Sequence, residues 1–230
     1  ILKNTVKIAM YRAAIDKYTP SIILVSAEYS FTSSILTSFV EKNNIKHINF
    51  MHGEKTFDIV DAYCHFSTFY VWDMHYILLF KQLNADKNLF IIDIPQYFFT
   101  KTKNILSIID YKFYLGLETN DTLTRLKVII DKLCQRGSSV KIRPHPRYTD
   151  INQLLSLFTS DIIENTTLVD INTSIMESRN IVARNSTVLF QAYLLQKNII
   201  IDDITDHNLY FYLFQSALFH FDRDKVYDVE

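Results

Sequence analysis

The chain is short of the residues that build the commonest phosphate-binding loops. Its 230 residues include only 3 glycines, 4 prolines and 2 cysteines. Glycine-rich loops of the dinucleotide-binding and P-loop kinds need several glycines at fixed spacing, and neither GxGxxG nor GxxxxGKS/T occurs here. Any bound phosphate must therefore be held by helix N-termini and by side chains.

Charge of one sign and long apolar runs are also missing. The formal net charge is −1, so no basic field points to a nucleic-acid partner. No apolar run reaches the roughly 18 residues that cross a bilayer, and no signal peptide is evident. Cys64 and Cys134 are isolated, which gives no disulfide framework or metal-ligand spacing and favours a reducing cytoplasm. Because the chain opens with Ile1, we expect it to lack residues at its N-terminus.

Strand-like and helix-like stretches alternate through a composition that is 48% hydrophobic and typical of globular proteins. We predict strands at 21–26, 46–51, 68–72, 88–92, 112–115, 139–142, 161–163, 167–169, 180–183 and 198–201. We predict helices at 5–17, 30–42, 74–84, 120–136, 150–158, 173–178 and 186–196. Such βαβ alternation predicts α/β domains, each a parallel sheet with helices on both faces.

A polar stretch at 94–110 interrupts this alternation and predicts a linker. It divides the chain into a first domain at 1–100 and a second domain at 101–230. We expect two Rossmann-like domains that face each other across a cleft, the first of them incomplete.

The most informative stretch is Arg143-Pro144-His145-Pro146-Arg147, which directly follows a predicted strand. Proline restricts its own backbone and that of the preceding residue, so His145 lies in stiff, extended chain. Arginine suits bidentate phosphate binding, and a neutral imidazole can donate to a phosphate or a sugar hydroxyl. We interpret the stretch as an anion site; a structural histidine is the alternative.

Asn185-Ser186-Thr187 stands where a predicted strand meets a predicted amphipathic helix. Helix N-termini carry free N–H groups and a partial positive charge, so phosphates bind there readily. Simple N-capping by Asn185 or Ser186 is the equally weighted alternative. Gly116, which follows the first strand of the second half, would allow a nucleotide to approach closely.

Met51-His52-Gly53-Glu54 lies at the end of a predicted strand, where α/β proteins place their ligands. His52 can act as a general base near neutral pH, and Glu54 can orient it or share the role. A polar turn without function is the alternative.

Two further groups carry less weight. Asp202, Asp203, Asp206 and His207 could ligate a metal, but a solvated strand end is the favoured interpretation, and we predict no metal. The aromatic run at 210–221 is interpreted as core, with peripheral association at the inner face of a cell membrane as the alternative.

Together these motifs resemble bacterial GT-B glycosyltransferases of cell-surface glycans, especially the sialyltransferase and polysialyltransferase group. His145-Pro146 is similar to the His-Pro motif of that group, and Ser186-Thr187 to its Ser-Ser or Ser-Thr motif. The resemblance implies that His145 contacts the CMP of a nucleotide-sugar donor and that Ser186 and Thr187 hold its phosphate. It thereby implies that 1–100 is the acceptor-side domain and 101–230 the nucleotide-donor-binding domain. It also implies inverting transfer to a glycan or glycolipid hydroxyl in capsule or lipopolysaccharide synthesis, without a metal cofactor.

The acidic motif of the sialyltransferase group is absent. His52-Gly53 instead resembles the HG element of CDP-glycerol glycerophosphotransferases, which also carry a downstream Arg-Pro-His-Pro. By that resemblance His52 is the base, and the donor is either a CMP-sugar (sialic acid or Kdo) or a CDP-polyol. A non-catalytic subunit of a polysaccharide assembly complex and a sugar-nucleotide epimerase remain as alternatives. Neither the acceptor nor the oligomeric state follows from the sequence.

Overall fold

The computed structural model describes residues 2–26, 30–99, 108–184, 186–202 and 226–228. Among these residues, those up to Pro95 form one compact unit and those from Gln96 onward form a second. The boundary predicted between residues 100 and 101 falls in a stretch outside the described residues.

The first unit is built on a four-stranded parallel sheet with the order β1-β2-β3-β4. Its elements are α1 (Leu2–Tyr18), β1 (Ile22–Val25), α2 (Phe31–Glu41), β2 (Lys46–Phe50), β3 (Thr68–Val71), α3 (Met74–Gln82) and β4 (Phe90–Ile92). The 3-10 helix Ile59–Asp61 lies in the long connection between β2 and β3. All seven predicted elements of this half are confirmed, with ends that differ by at most three residues.

The described helices of the first unit contact one face of its sheet. Tyr11 of α1 and Thr37 of α2 bond the His47 ring on β2, and Phe80 of α3 packs on Phe69 of β3. Strand order follows chain order, so every right-handed connection steps the same way and places its helix on the same face. On the opposite face Leu24 is 62% exposed. The prediction of helices on both faces is therefore wrong for the described part of this unit.

The second unit holds a five-stranded parallel sheet with the order β6-β5-β7-β8-β9. Its elements are β5 (Ile109–Tyr114), α4 (Asn120–Gln135), β6 (Val140–Arg143), α5 (Ile151–Leu157), α6 (Ile171–Met176), β7 (Ser178–Ala183), α7 (Thr187–Leu194), β8 (Asn198–Ile201) and β9 (Val226–Asp228), preceded by the 3-10 helix Gln96–Phe99. β6 lies on one side of β5, whereas β7 lies on the other, so the connections reverse direction at β5.

This reversal places helices on both faces of the second sheet. Side chains of α4 and α5 pack on Phe113, Ile142 and Val182 in an apolar core. On the other face Ser174 of α6 meets Lys112 of β5. Here the prediction of helices on both faces is confirmed.

Two predicted strands of the second half differ from the structure. Residues 161–163 contribute only one bridge, between Ile163 and Ile142. Residues 167–169 form a turn, because the Asn165 side chain accepts the backbone N–H of Thr167 at 3.0 Å and its hydroxyl at 2.7 Å. The β-branched residues of Thr166-Thr167 favour a strand, but the Asn165 side chain stabilises the turn locally.

Gly137 ends α4 in a backbone conformation that favours glycine. Thr119 caps the start of the helix, and Gly137 follows its end with a φ of +81°. Ser138 N–H bonds Leu133 O at 3.1 Å and Gly137 N–H bonds Cys134 O at 2.9 Å, which is the Schellman pattern. A side chain at 137 would force an L-residue into the left-handed region.

We predict that Gly137→Ala lowers the free energy of unfolding by about 1 kcal/mol, since nothing but backbone strain opposes the new methyl group. Gly116→Ala is the matched control, because its Cβ would meet Glu118 Oε1 at an ordinary 3.7 Å and its φ is not left-handed. Thermal or urea unfolding of both variants measures the difference. Equal stabilities for the two variants would contradict this reading of the helix end.

Candidate functional site

The carboxyl ends of β5 and β7 form the topological switch point of the second sheet. Open α/β sheets bind ligands at such points, because the loops leave in opposite directions and open a crevice. Gly116 follows β5, His145 follows β6, and Ser186 follows β7. The structure therefore brings three of the predicted nucleotide-binding elements to the carboxyl edge of one sheet.

The His145 loop is held by a specific set of hydrogen bonds. The backbone N–H of His145 donates to Thr149 Oγ1 at 2.8 Å, and Thr149 Oγ1 donates to Gly116 O at 2.9 Å. The His145 ring stacks on Tyr148 with centroids 4.4 Å apart. Thr149 thus ties the loop after β6 to the loop after β5.

The His145 ring is presented as a neutral donor. Its Nδ1 accepts the backbone N–H of Arg147 at 3.1 Å, which leaves the proton of a neutral ring on Nε2. Burial and the nearby charge of Arg147 lower the pKa of His145. The half-buried ring can therefore offer an Nε2–H group to a phosphate or hydroxyl oxygen at neutral pH.

The other predicted residues of this stretch differ in exposure. Pro146 and Arg147 are exposed next to His145, so the Arg147 guanidinium lies at the surface of the loop. Arg143 is almost fully buried, and its guanidinium pairs with the Glu164 carboxylate. The structure thus places the two arginines in different environments.

Ser186 is the N-cap of α7, and its Oγ accepts the N–H of Val188 at 3.3 Å. Thr187 is the first residue of that helix, and both side chains are half-buried. The capping interpretation holds for Ser186, which bonds the Val188 N–H through Oγ and the Leu189 N–H through its carbonyl oxygen at 3.0 Å. The start of α7, with the partial positive charge of a helix N-terminus, lies at the carboxyl edge of the sheet. Asn185 lies outside the described residues.

Sequence inspection missed the charged side chains around Gly116. Both oxygens of the Glu118 carboxylate accept the Gly116 N–H, at 2.8 and 2.7 Å. Burial and the charge of Asp202 raise the pKa of Glu118, whereas Arg184 lowers it. The Gly116 N–H therefore already has an acceptor, the Glu118 carboxylate. In the sequence, only the Gly-x-Glu spacing could have indicated this hydrogen bond.

An open pocket of about 310 Å³ borders the His145 loop at Pro144. Its other lining residues are Ile151, Leu155, Ser160, Ile163, Glu164, Asn165 and Thr166. The walls are mainly apolar and include the polar side chains of Ser160, Glu164, Asn165 and Thr166, as in many small-molecule sites.

In the first unit, His52 and Glu54 lie in the loop that follows β2, at the carboxyl edge of that sheet. His52 is exposed. Glu54 Oε2 accepts the hydroxyl of Tyr76 at 2.8 Å, and burial raises the pKa of Glu54 to about 8. A carboxyl group with this pKa is mostly protonated at neutral pH and can exchange a proton in that range.

Asp61, Lys55 and Tyr76 are neighbours of this loop that sequence inspection missed. Lys55 Nζ lies 3.2 Å from Asp61 Oδ2. Burial raises the pKa of Asp61, and Lys55 and, more weakly, His52 lower it. Asp61 therefore interacts electrostatically with His52. It lies nine residues further along the chain, on a 3-10 helix, and no sequence pattern indicates that the two residues are neighbours.

The described residues contain no cluster of three or more histidine, cysteine, aspartate or glutamate side chains suited to a metal ion. Asp202 is buried at the end of β8, whereas Asp203, Asp206, His207 and the aromatic run at 210–221 lie outside the described residues. None of the helices in the described ranges is long and apolar enough to cross a membrane.

Comparison with solved structures identifies proteins of similar fold. UDP-N-acetylglucosamine 2-epimerase from Rickettsia bellii matches with a TM-score of 0.58 and 15% identity over 86% of this chain and 60% of its own. The S. aureus MnaA–UDP structure matches with a TM-score of 0.55 and 12% identity over 86% of this chain and 62% of its own. The chain spans about three fifths of each. No protein-family model and no curated protein matches it. These likenesses confirm the α/β, GT-B-like fold class with two parallel sheets.

We predict that stability at alkaline pH is limited by Glu54. A buried carboxyl with a pKa of about 8, against an unfolded value near 4.5, binds a proton in the folded state that the unfolded chain has lost. Stability contributed by this proton is full below about pH 4.5 and falls as pH rises through 8. Glu54→Gln should therefore gain more than about 1 kcal/mol relative to the wild type between pH 5 and pH 8.

Urea unfolding at the two pH values measures this difference. Tyr76→Phe is the companion variant, because the lost hydroxyl stabilises the carboxylate and its removal should move the decline to higher pH. A Glu54→Gln difference that does not change with pH would show that Glu54 titrates normally.

Proposed function

We propose that the chain belongs to a nucleotide-sugar-dependent glycosyltransferase of cell-surface glycan synthesis and that its second unit binds the donor nucleotide. The observation that carries this proposal is the convergence of Gly116, His145 and Ser186 at the switch point of a parallel sheet. The fold shared with a UDP-bound protein supports it.

The donor phosphate would lie at the start of α7. The partial positive charge of the helix N-terminus favours an anion there, and Thr187 adds a hydroxyl donor. His145 Nε2–H and the exposed Arg147 add donors from the neighbouring loop. These groups would stabilise the negative charge that develops on the departing phosphate in the transition state. The apolar walls of the pocket beside Pro144 would accept the flat face of the base.

The reaction would be an inverting displacement. With a nucleotide-sugar donor, a base in the first unit removes the proton of an acceptor hydroxyl, the oxygen attacks the anomeric carbon, and the bond to the phosphate breaks as the nucleotide leaves. With a CDP-polyol, which has no anomeric carbon, the oxygen would attack the phosphorus that bears the polyol, and CMP would leave. The exposed imidazole of His52, with Asp61 nearby, is the base of this proposal. Glu54, held by Tyr76, supplies a second group that exchanges protons near neutral pH.

Three classes of donor are compatible with this proposal. The resemblance of His145-Pro146 and Ser186-Thr187 to sialyltransferase motifs favours a CMP-sugar, and His52-Gly53 favours a CDP-polyol. The fold shared with the MnaA–UDP structure adds a UDP-sugar. The acceptor would be a glycan or glycolipid at the cytoplasmic face of the membrane.

We expect a thermal-shift screen against CMP, CDP, UMP, UDP and ADP to identify a stabilising nucleotide. A ligand at 100 times its dissociation constant contributes about 2.7 kcal/mol, which is readily visible as a rise in Tm. His145→Ala should remove most of that rise. Lys141→Met, which deletes a cation from the same strand outside the loop, should leave it intact. A wild-type protein that no nucleotide stabilises would refute the proposal.

A sugar-nucleotide epimerase is the second candidate, favoured by the shared fold with the R. bellii 2-epimerase. The two reactions differ in their need for an acceptor. Incubation with UDP-N-acetylglucosamine alone, followed by NMR of the sugar, tests the epimerase: a new C2 epimer requires no acceptor. For a transferase we expect no epimer, and product only when donor and acceptor are both present.

His52→Ala should reduce transfer at least tenfold while nucleotide affinity stays unchanged.

A further inference from the structure

A cluster of polar side chains lies buried on the face of the second sheet opposite its apolar core. It joins Lys112 and Tyr114 of β5, Arg143 of β6, Ser174 of α6, and Glu164 in the connection between α5 and α6, and we call it the Glu164 cluster. Lys112 and Ser174 are fully buried, and Arg143 and Glu164 are each only 9% exposed.

One carboxylate is the centre of the cluster. Glu164 Oε1 accepts Lys112 Nζ, and Glu164 Oε2 accepts Arg143 Nη1 together with the Ser174 hydroxyl at 2.7 Å. Lys112 Nζ also donates to Ser174 O at 3.1 Å, and Tyr114 OH lies 3.0 Å from Ser174 Oγ. Donors from β5, β6 and α6 thus converge on a single buried anion.

Stability alone does not account for such a cluster. Removing charges from water is unfavourable, and well-packed apolar side chains of similar size are often as stabilising or more so. The charged groups instead orient one another, because each charge-assisted hydrogen bond holds its donor side chain in one geometry. The fixed geometry of these side chains matters where the cluster meets the candidate site.

Arg143 connects the cluster to the candidate site. It is the last residue of β6 and directly precedes Pro144 and His145. Its carbonyl accepts the N–H of Leu115 at 3.0 Å, next to Gly116. With its side chain bound to Glu164 and its backbone bound to Leu115, Arg143 sets the point and direction in which the His145 loop leaves the sheet.

We propose that the Glu164 cluster is a positioning device for His145, in which Glu164 and Lys112 hold Arg143 and Arg143 aims the Pro144-His145 segment. The inference deepens the proposed nucleotide site and gives Arg143 a role different from direct phosphate contact. Arg147, exposed on the same loop, is the arginine that meets the ligand.

The first test uses the protein without ligand. In Arg143→Met and Glu164→Gln, hydrogen exchange of the His145 and Leu115 amides should accelerate at least tenfold, while amides in α4 keep their protection. Lys141→Met is the matched control, since Lys141 bonds Asp161 O and not Glu164. If a single variant fails to fold, Lys112→Met/Glu164→Leu/Arg143→Met removes all three charges together. Unchanged exchange at His145 in a folded variant would overturn the proposal.

The second test is a double-mutant cycle on UDP and CMP affinity. Arg143→Met should weaken binding about tenfold, and Arg143→Met/His145→Ala should bind no more weakly than His145→Ala alone, because Arg143 acts through His145. Additive losses would show that Arg143 contacts the ligand and would overturn the positioning role. If the wild type binds neither nucleotide, the proposed function fails, and the exchange measurement still decides whether the cluster positions the loop.

Discussion

The handedness of the strand connections is the constraint on which the rest of the structure depends. A right-handed crossover places its helix on one face when the chain steps in one direction and on the other face when it steps back. The first unit steps one way from β1 to β4, and its described helices share a face. The second unit reverses at β5, so it has helices on both faces and a topological switch point at the carboxyl ends of β5 and β7. The candidate nucleotide site is a consequence of that reversal.

Much of this architecture could be predicted from the sequence, because strands of parallel sheets and capped amphipathic helices leave local patterns. Thr119 and Gly137 mark both ends of α4 by their own chemistry. The order of the strands leaves no local pattern, so the sequence did not indicate that the described helices of the first unit share one face of its sheet. The strand expected at 167–169 failed because the Asn165 side chain stabilises a turn there.

Site residues were predictable where one short segment carries the chemistry and not where distant segments meet. The prolines around His145 are visible in the sequence, and the structure shows that the loop holds the ring as a neutral donor. The pairing of Arg143 with Glu164 joins residues 21 positions apart, and Glu54 meets Tyr76 across 22. Only packing reveals that the first arginine is buried and that the carboxyl of Glu54 titrates near pH 8. The chemistry therefore depends on tertiary contacts that give each group its charge and direction.

The central claim is that a nucleotide binds at the switch point of the second sheet. The most direct measurement is an NMR titration of the ¹⁵N-labelled protein with UDP and with CMP. We expect amide shifts to concentrate at the non-proline residues of 115–118, 145–149 and 186–189, with the first unit little affected by a nucleotide alone. Shifts confined to the first unit, or the absence of any saturable shift with either nucleotide, would contradict it.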